Sequence, residues 1–258
     1  MMIFYYSGCG NSRYVAQWLG RKLDQKLVFI PDAEREGAFE YTLAEGEELG
    51  FVFPVYCWAP PELVTRFVEQ LQLHGTPSYT FMVVTCGDNT GKTESLFAHT
   101  LRRKGLHLQM AVSLAMPNTY INIAGMVLDS HDTARAKVDD TNRRLPQVAE
   151  AVKNRQPMRQ MVEGPQAWLR SHVIKPLFYR FLVRDKHFTV SQACTSCGLC
   201  QQSCPLGNIR LVDGRPQWQG NCTTCMSCYH HCPQNAIHFG KATQDKGQYY
   251  FREKDFNL

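Results

Sequence analysis

The sequence predicts an α/β protein with a doubly wound parallel sheet, followed by a small, cysteine-rich α+β domain. Short apolar runs alternate with helical periodicity over residues 1–155, which is typical of a parallel sheet covered by helices on both faces. A glycine-rich turn joins the first apolar run to the first helical pattern. Eight of the eleven cysteines form two equal runs between residues 194 and 232, so a second folding unit is expected there.

Five strands can be placed, with helices between several of them. Residues 2–6 form a continuous apolar run, as expected of a buried parallel strand. We predict the other strands at residues 27–30, 49–53, 79–85 and 106–114. A helix follows the first strand, and further helices are predicted at about residues 61–73, 93–104 and 127–155.

The turn after the first strand is predicted to hold a phosphate group. It collects free backbone N–H groups at the positive end of the next helix dipole, and side-chain donors add to them. The residues of this phosphate loop are Ser7, Gly8, Cys9, Gly10, Asn11 and Ser12.

Two more strand ends are predicted to form ligand loops, because ligands of such sheets bind beyond the carboxyl ends of the strands. Aromatic side chains suit stacking on a flat ring, and glycines let backbone amides approach it closely. The second loop contains Pro54, Val55, Tyr56, Cys57 and Trp58, and the third contains Cys86, Gly87, Asp88, Asn89 and Gly91. We expect Cys57 and Cys86 to be packed rather than redox-active, because no neighbouring cation in the sequence indicates a lowered thiol pKa.

The cysteine spacing predicts two iron–sulfur clusters. Each run reads Cys-x-x-Cys-x-x-Cys-x-x-x-Cys-Pro, in which three closely spaced thiolates hold one [4Fe-4S] cube and the fourth reaches across to the other. This crossing assigns Cys194, Cys197, Cys200 and Cys232 to one cluster, and Cys222, Cys225, Cys228 and Cys204 to its neighbour. Zinc usually takes two separate Cys-x-x-Cys pairs and dense disulfides belong to secreted chains, so both alternatives are disfavoured.

Residues 1–150 resemble flavodoxin, with a phosphate loop of the Ser/Thr-x-x-Gly-Asn-Ser/Thr kind, an aromatic second loop and a glycine-rich third loop. The resemblance implies a five-stranded flavodoxin-like sheet that binds the phosphate of FMN at residues 7–12 and its ring between Tyr56 and Trp58. It also implies that the pyrimidine edge of FMN is lined by Cys86, Gly87, Asp88 and Gly91. Cys9 stands where flavodoxins commonly place a threonine, so a weak donor replaces a good one. The whole chain resembles the flavodoxin–ferredoxin fusion proteins of anaerobic bacteria, which implies a bacterial two-cluster ferredoxin domain near the C-terminus.

Nucleotide sites are an alternative interpretation of the glycine turns. Gly8, Gly10 and Arg13 resemble a dinucleotide-binding fingerprint whose third glycine is replaced, and Asp32 follows at the spacing of a ribose ligand. Residues 87–93 resemble a P-loop with one residue too few between its glycines. The joint presence of three loops favours FMN over these incomplete patterns and over an empty domain.

Composition and charge limit the setting and the partners. The 258 residues, 44% of them hydrophobic, can bury a full core beside a small cluster domain. No apolar run approaches the roughly 18 residues that span a bilayer, and the N-terminus lacks the basic segment of a signal peptide, so we expect a cytoplasmic protein. Residues 1–150 carry 14 Lys and Arg against 17 Asp and Glu, and residues 151–258 carry 14 against 6. The basic half has no nucleic-acid-binding motif, so no nucleic-acid partner is expected.

The segment between the two units is basic and apolar. The expected organisation is an FMN-binding domain at 1–155, a helical connector at 156–184, a ferredoxin domain at 185–240 and a tail at 241–258. A basic amphipathic connector lies on a membrane surface in some proteins, but it packs between domains more often, so peripheral membrane contact is not expected. Pro165 and Pro176 are expected to interrupt any single long helix in it.

Together these features predict an electron carrier that passes low-potential electrons between FMN, two clusters and redox partner proteins. Placing both kinds of centre on one chain fixes their effective concentration. Two alternatives stay open: an FMN-dependent reductase with its own small organic substrate, and a ferredoxin whose front domain only serves as a docking module. The sequence offers no catalytic acid–base pair and no convincing nicotinamide site, which favours the carrier.

Overall fold

A six-stranded parallel sheet forms the centre of the N-terminal part in the computed structural model, which describes residues 1–123 and 125–256. The strands of this part are β1 Met2–Tyr5, β2 Lys26–Phe29, β3 Glu40–Thr42, β4 Glu48–Pro54, β5 Gln72–His74, β6 Tyr79–Cys86, β7 Met110–Ala115 and β8 Met158–Gln160. The sheet order is β2-β1-β4-β6-β7-β8, and β3 pairs with β5 outside the sheet. Without β8, this is the strand order of flavodoxin-like doubly wound sheets. The predicted fold class is confirmed, and the sheet has a sixth strand beyond the five expected.

Helices cover both faces of the sheet and bury its two cores. They are α1 Asn11–Leu23, α2 Ile30–Glu36, α3 Glu62–Gln70, α4 Thr93–Arg103 and α5 His131–Lys153. Helices α1 and α5 contact each other on one face, while α3 contacts both α2 and α4 on the other. Strands β4 and β6 are buried along nearly their whole length, which explains their continuous apolar runs.

The connector is a helical path of three consecutive segments. It runs through α6 Ala167–Leu169, a π-helical turn at Arg170–Ile174, and α7 Lys175–Phe181. Pro176 lies in the first turn of α7, where a missing N–H is best tolerated. The interruption expected at this proline is therefore a change of helix type rather than a break.

The C-terminal part is built from two antiparallel pairs and two short helices. Its elements are β9 Phe188–Val190, α8 Leu199–Ser203, β10 Ile209–Val212, β11 Arg215–Trp218, α9 Ser227–His230 and β12 Ile237–Phe239. Strand β9 pairs with β12 and β10 with β11. Ile121, from the loop after β7, joins the small core of this part, so the two domains share buried apolar contacts. None of the helices described, in either part, is both long enough and apolar enough to cross a bilayer.

Candidate functional site: two cysteine-lined cavities and a loop cluster

The two cysteine runs follow the same backbone path. Ser196 and Gly198 adopt positive φ in the first run, and Thr224 and Met226 do so at the matching positions of the second. Left-handed residues turn the chain sharply, so that thiols two residues apart face the same space. This geometry is what the Cys-x-x-Cys-x-x-Cys spacing requires.

The cysteine side chains line two separate cavities. One is lined by Cys194, Cys197, Cys200 and Cys232. The other is lined by Cys204, Cys222, Cys225 and Cys228. Each set joins three cysteines of one run to the last cysteine of the other, which is the arrangement that the spacing predicts. Within residues 1–123 and 125–256, no three His, Cys, Asp or Glu side chains are placed to hold a single metal ion.

Backbone amides point at the cysteine that crosses over in each half. The N–H of Asn208 donates to Cys204 Sγ at 3.3 Å, and the N–H of Ala236 donates to Cys232 Sγ at 3.2 Å. Such N–H···S bonds help to set the potential of a bound cluster. Burial raises the pKa of the Cys225 thiol to about 12, so cluster binding at this position is coupled to loss of a proton.

The predicted ligand loops meet at the carboxyl edge of the sheet around two adjacent cavities. The small cavity, of about 60 Å³, is lined by residues that include Ser7, Gly8, Cys9, Asn11, Ser12 and Pro54. The large cavity, of about 1060 Å³, is lined by residues that include Tyr56, Cys57, Trp58, Asp88 and Asn89. Val55, Tyr56, Cys86, Gly87, Asn118 and Tyr120 line both cavities.

Two of the predicted glycines, Gly10 and Gly91, line neither of these cavities. Gly10 is the N-cap of α1 and has a φ of 97°. Gly91 has a φ of 54°, and a Cβ atom there would lie 2.4 Å from Trp58 Cβ. Gly91 therefore packs against Trp58 of the second loop and does not line the cavity.

The phosphate loop offers backbone donors more than side-chain donors. In the part of the chain described, Gly10 gives α1 no side-chain cap, so the first N–H groups of the helix lack that partner. The side chains are engaged within the protein: Ser7 Oγ accepts from the N–H of Gly10 at 3.1 Å, and the hydroxyls of Ser12 and Thr85 are 2.7 Å apart. An anion at this position would be held by main-chain N–H groups and the helix dipole.

The second loop is a strained two-residue turn. Tyr56 and Ala59 exchange backbone hydrogen bonds of 3.0 and 3.2 Å, while Cys57 and Trp58 between them have φ values of 47° and 57°. Left-handed backbone costs a non-glycine residue about 1–2 kcal/mol, and such strain is concentrated at functional sites. The Arg170 guanidinium covers the Trp58 ring at 5.0 Å from its centroid.

The thiols of the large cavity have raised pKa values, and its polar groups differ in whether they have partners. Burial raises the pKa of Cys57 to about 12 and that of Cys86 to about 11, as expected of packed thiols. Asp129 pairs with Lys137 at 2.7 Å in one wall. Asn89 Oδ1 is buried and has no hydrogen-bond partner among the described residues, which marks a polar position for a ligand.

The comparison with known families concerns the cysteine-rich part. Residues 193–237 match the 4Fe-4S dicluster domain family. The chain joins a flavodoxin-like domain to a ferredoxin-type 4Fe-4S domain. It is therefore a redox protein, because 4Fe-4S domains exchange electrons. No curated protein matches the chain.

Several solved structures are similar to the chain at low identity. They include an NAD(P)H:quinone oxidoreductase from Methanothermobacter marburgensis, with 14% identity, a TM-score of 0.37, and coverage of 57% of this chain and 94% of that one. An azoreductase from Bacillus anthracis str. Sterne has 11% identity, a TM-score of 0.36, and coverage of 57% and 97%. The Trp repressor binding protein from Bacillus subtilis has 15% identity, a TM-score of 0.33, and coverage of 45% and 83%. At such TM-scores, the flavodoxin-like assignment depends on the strand order of the sheet.

The ferredoxin-type domain of this fusion sits directly on the phosphate loop. Cys9 Sγ donates to the carbonyl of Cys225 at 3.2 Å, so the residue in place of the usual threonine binds the other domain. The hydroxyls of Tyr6 and Thr223 are 3.2 Å apart. A Cβ atom on Gly8 would lie 2.8 Å from Cys225 Cβ, so only glycine permits this approach.

The C-terminal tail also contacts the phosphate loop, beside the ferredoxin-type domain. The N–H of Phe251 donates to the carbonyl of Cys9 at 2.8 Å, and its buried ring packs against Tyr14 at 4.5 Å. His230, on α9, donates from Nε2 to the carbonyl of Thr119 at 2.8 Å, and burial lowers its pKa to about 4. The sequence indicated an aromatic tail but gave no signal for where it docks.

A fourth loop and the apolar wall of the large cavity were not predicted from the sequence. Asn118 and Tyr120 follow β7, and the rule that ligands bind beyond strand ends would have found them. The connector supplies the apolar wall through residues that include Ile174, Leu177, Phe178, Phe181 and Leu182. No local pattern indicated which surface the connector would cover.

Proposed function

We propose that the protein is an electron carrier in which FMN and two [4Fe-4S] clusters exchange electrons within one chain. The two adjacent cavities at the carboxyl edge of the sheet would hold FMN, with its phosphate at the start of α1 and its ring in the large cavity. The two cysteine-lined cavities would hold one cluster each. When bound, FMN exchanges one or two electrons and each cluster exchanges one, so the chain converts between paired and single electrons.

The fit of the residues to FMN supports this assignment. The small cavity presents the backbone N–H groups of a helix start, which suit a phosphate. The large cavity combines aromatic side chains with the unpartnered Asn89 Oδ1, which suits a flat ring with polar edges. Because the two cavities share wall residues, they are adjacent, as the sites for the phosphate and the ring of one ligand must be.

One observation carries the proposal: the second cysteine run, Cys222 to Cys232, contacts the walls of the proposed flavin site. Tyr120 lines both cavities, and its side chain lies beside Thr224 and near Cys222. Cys225 packs against Gly8 of the phosphate loop. An electron therefore passes between the two sites without leaving the protein.

The same contacts suggest the order of the centres. Residues of the ferredoxin-type domain line both cysteine cavities, but Cys225 of the second cavity also contacts Gly8 and Cys9 of the flavodoxin-like domain. Cys197 of the other, outer cavity is exposed, and so is the apolar side chain of Leu199 two residues further along the chain. We assign the inner cluster to exchange with FMN and the outer one to exchange with partner proteins.

The cofactor content of anaerobically prepared protein tests the proposal. We expect about eight iron and eight sulfide per chain, as two [4Fe-4S] cubes require, and one FMN released on denaturation. Protein that retains iron but never binds added FMN would exclude the carrier of both cofactors.

Double variants test the crossed ligand sets. Cys194→Ala and Cys232→Ala should remove the same cluster, so combining them should cost no more iron than either alone. Cys194→Ala combined with Cys204→Ala should cost about twice as much, because each change affects a different cube. Additive loss from Cys194→Ala and Cys232→Ala would contradict the crossing.

A ferredoxin with a docking module is the second candidate. It is favoured by the use of the phosphate loop itself as a contact surface for Cys225 and Phe251. Full iron content with no flavin binding would support it over the carrier.

A further inference from the structure

The connector exposes an unusual concentration of apolar surface. Seven of the eleven exposed large apolar side chains in the described parts of the chain lie within fifteen consecutive residues of it. This apolar stripe consists of Trp168, Leu169, Val173, Ile174, Leu177, Phe181 and Leu182. Scattered apolar residues are normal on a protein surface, whereas a contiguous group of this size marks an interaction site.

Contacts of Ser171 and Phe178 hold the connector against the flavodoxin-like domain and leave the apolar stripe partly exposed. Ser171 Oγ donates to the carbonyl of Trp58 at 2.7 Å and accepts from the N–H of Lys92 at 2.8 Å. Phe178 is buried on the same side and packs near Tyr120. The side chains of Trp168, Leu177 and Phe181 consequently keep 61%, 53% and 59% of their surface exposed.

Charge around the stripe has one sign. Residues 164–184 contain Arg170, Lys175, Arg180 and Arg184 and no acidic residue. A helix with aromatic and aliphatic side chains on one face and basic side chains beside them has the composition of a helix that lies in a membrane interface. Of the seven stripe side chains, only Trp168 carries a hydrogen-bonding group, which suits a non-directional lipid surface better than a protein partner with a defined polar pattern.

We propose that the apolar stripe binds the protein to the surface of a bilayer that contains anionic lipid. The stripe would enter the boundary between headgroups and acyl chains, and Lys175, Arg180 and Arg184 would contact the anionic headgroups, whereas Arg170 covers the Trp58 ring. The sequence alone favoured packing between domains, but in the structure the stripe lies partly along the large cavity and partly in solvent.

Binding of the stripe to a bilayer would also affect the proposed flavin site, and this part rests on the proposed function. Ile174, Leu177 and Phe181 belong to the stripe and also line the large cavity. A bilayer under the stripe would cover the open side of that cavity. An apolar electron acceptor dissolved in the lipid would then reach the cavity without crossing water.

Co-sedimentation of the anaerobically prepared protein with vesicles tests the proposal. We expect binding to vesicles of phosphatidylcholine with phosphatidylglycerol and at least tenfold weaker binding to phosphatidylcholine alone, since each of the three remaining basic residues contributes up to about fivefold at an anionic surface. Raising the salt concentration should weaken the binding. The fluorescence of Trp168 should shift to shorter wavelength on the vesicles, and Trp168→Phe should remove that shift.

Two valines provide a matched pair of variants. Val173 on the stripe is 41% exposed, and Val212 on β10 is 39% exposed. Val173→Glu should weaken vesicle binding at least tenfold, whereas Val212→Glu should leave it unchanged. Arg180→Gln provides a second test, with a loss of a few fold, if Val173→Glu does not retain its iron.

Three results would overturn the proposal. They are equal binding to vesicles with and without phosphatidylglycerol, no binding to either, or equal effects of Val173→Glu and Val212→Glu. Self-association of the free protein that Val173→Glu abolishes, without vesicle binding, would assign the stripe to a second copy of the chain. Protein that lacks flavin but binds vesicles would contradict the proposed function and would still support the proposed membrane binding.

Discussion

Gly8→Ala tests the contact between the phosphate loop and the second cysteine run. The added methyl would lie 2.8 Å from Cys225 Cβ and 2.9 Å from the Tyr56 hydroxyl. Carbon atoms in contact prefer about 3.5–4.0 Å, so the two domains must separate locally by about 1 Å. Inserting one methyl into a packed region typically costs about 1–3 kcal/mol.

The matched control is Gly87→Ala, in the third loop. A methyl there meets Asn118 at 3.4 Å or more, which is an ordinary contact, and neither glycine has a left-handed backbone. Urea unfolding under anaerobic conditions, followed by cluster absorbance, is the assay. At slopes of about 1–3 kcal/mol per molar urea, Gly8→Ala should lower the midpoint by at least about 0.3 M. Equal midpoints for Gly8→Ala, Gly87→Ala and the parent protein would refute the close contact.

Three further predictions concern the core, the large cavity and the tail. Gly50→Ala places a methyl 2.3 Å from Phe81 Cζ and should lower the free energy of unfolding by about 1–3 kcal/mol in urea titrations; a loss below about 0.5 kcal/mol would contradict the packing. Burial raises the pKa of Cys57 from 9.0 to about 12. The rate of its alkylation at pH 8, measured by mass spectrometry, should therefore be about a thousandfold lower than that of an ordinary thiol. This rate should keep rising as the pH is raised above 9. A plateau near pH 9 would contradict that pKa. Phe251→Ala removes a buried ring beside Tyr14 and should cost about 3–5 kcal/mol in the same urea assay, whereas an unchanged midpoint would show that the tail does not dock.

The parts of the fold that the sequence predicted are those with long, uniform patterns. Strands β1, β4 and β6 are buried on both faces, so each appears as an apolar run within one or two residues of its true bounds. Strand β8 was not predicted, because Met158–Gln160 is short, polar and partly exposed at the sheet edge. Strand β7 begins at Met110 rather than at residue 106, because the apolar residues before it are buried without pairing in the sheet.

Contacts between distant segments are what the sequence did not reveal. The spacing of the cysteines predicted which four line each cavity, because it is the spacing of two-cluster ferredoxins, in which the last cysteine of each run crosses to the other cluster. The position of Phe251 over the phosphate loop depends instead on the packing of three separate segments. The sequence likewise gave Cys9 as an unusual residue but could not show that its thiol faces the carbonyl of Cys225.

Laser flash photolysis of the fully loaded protein tests the central claim most directly. After one-electron reduction of the protein, the absorbance of the flavin and of the clusters should change at the same first-order rate. That rate should be independent of protein concentration, because the donor and acceptor belong to one chain. A rate that rises in proportion to protein concentration, or a flavin signal that never exchanges with the clusters, would contradict the account.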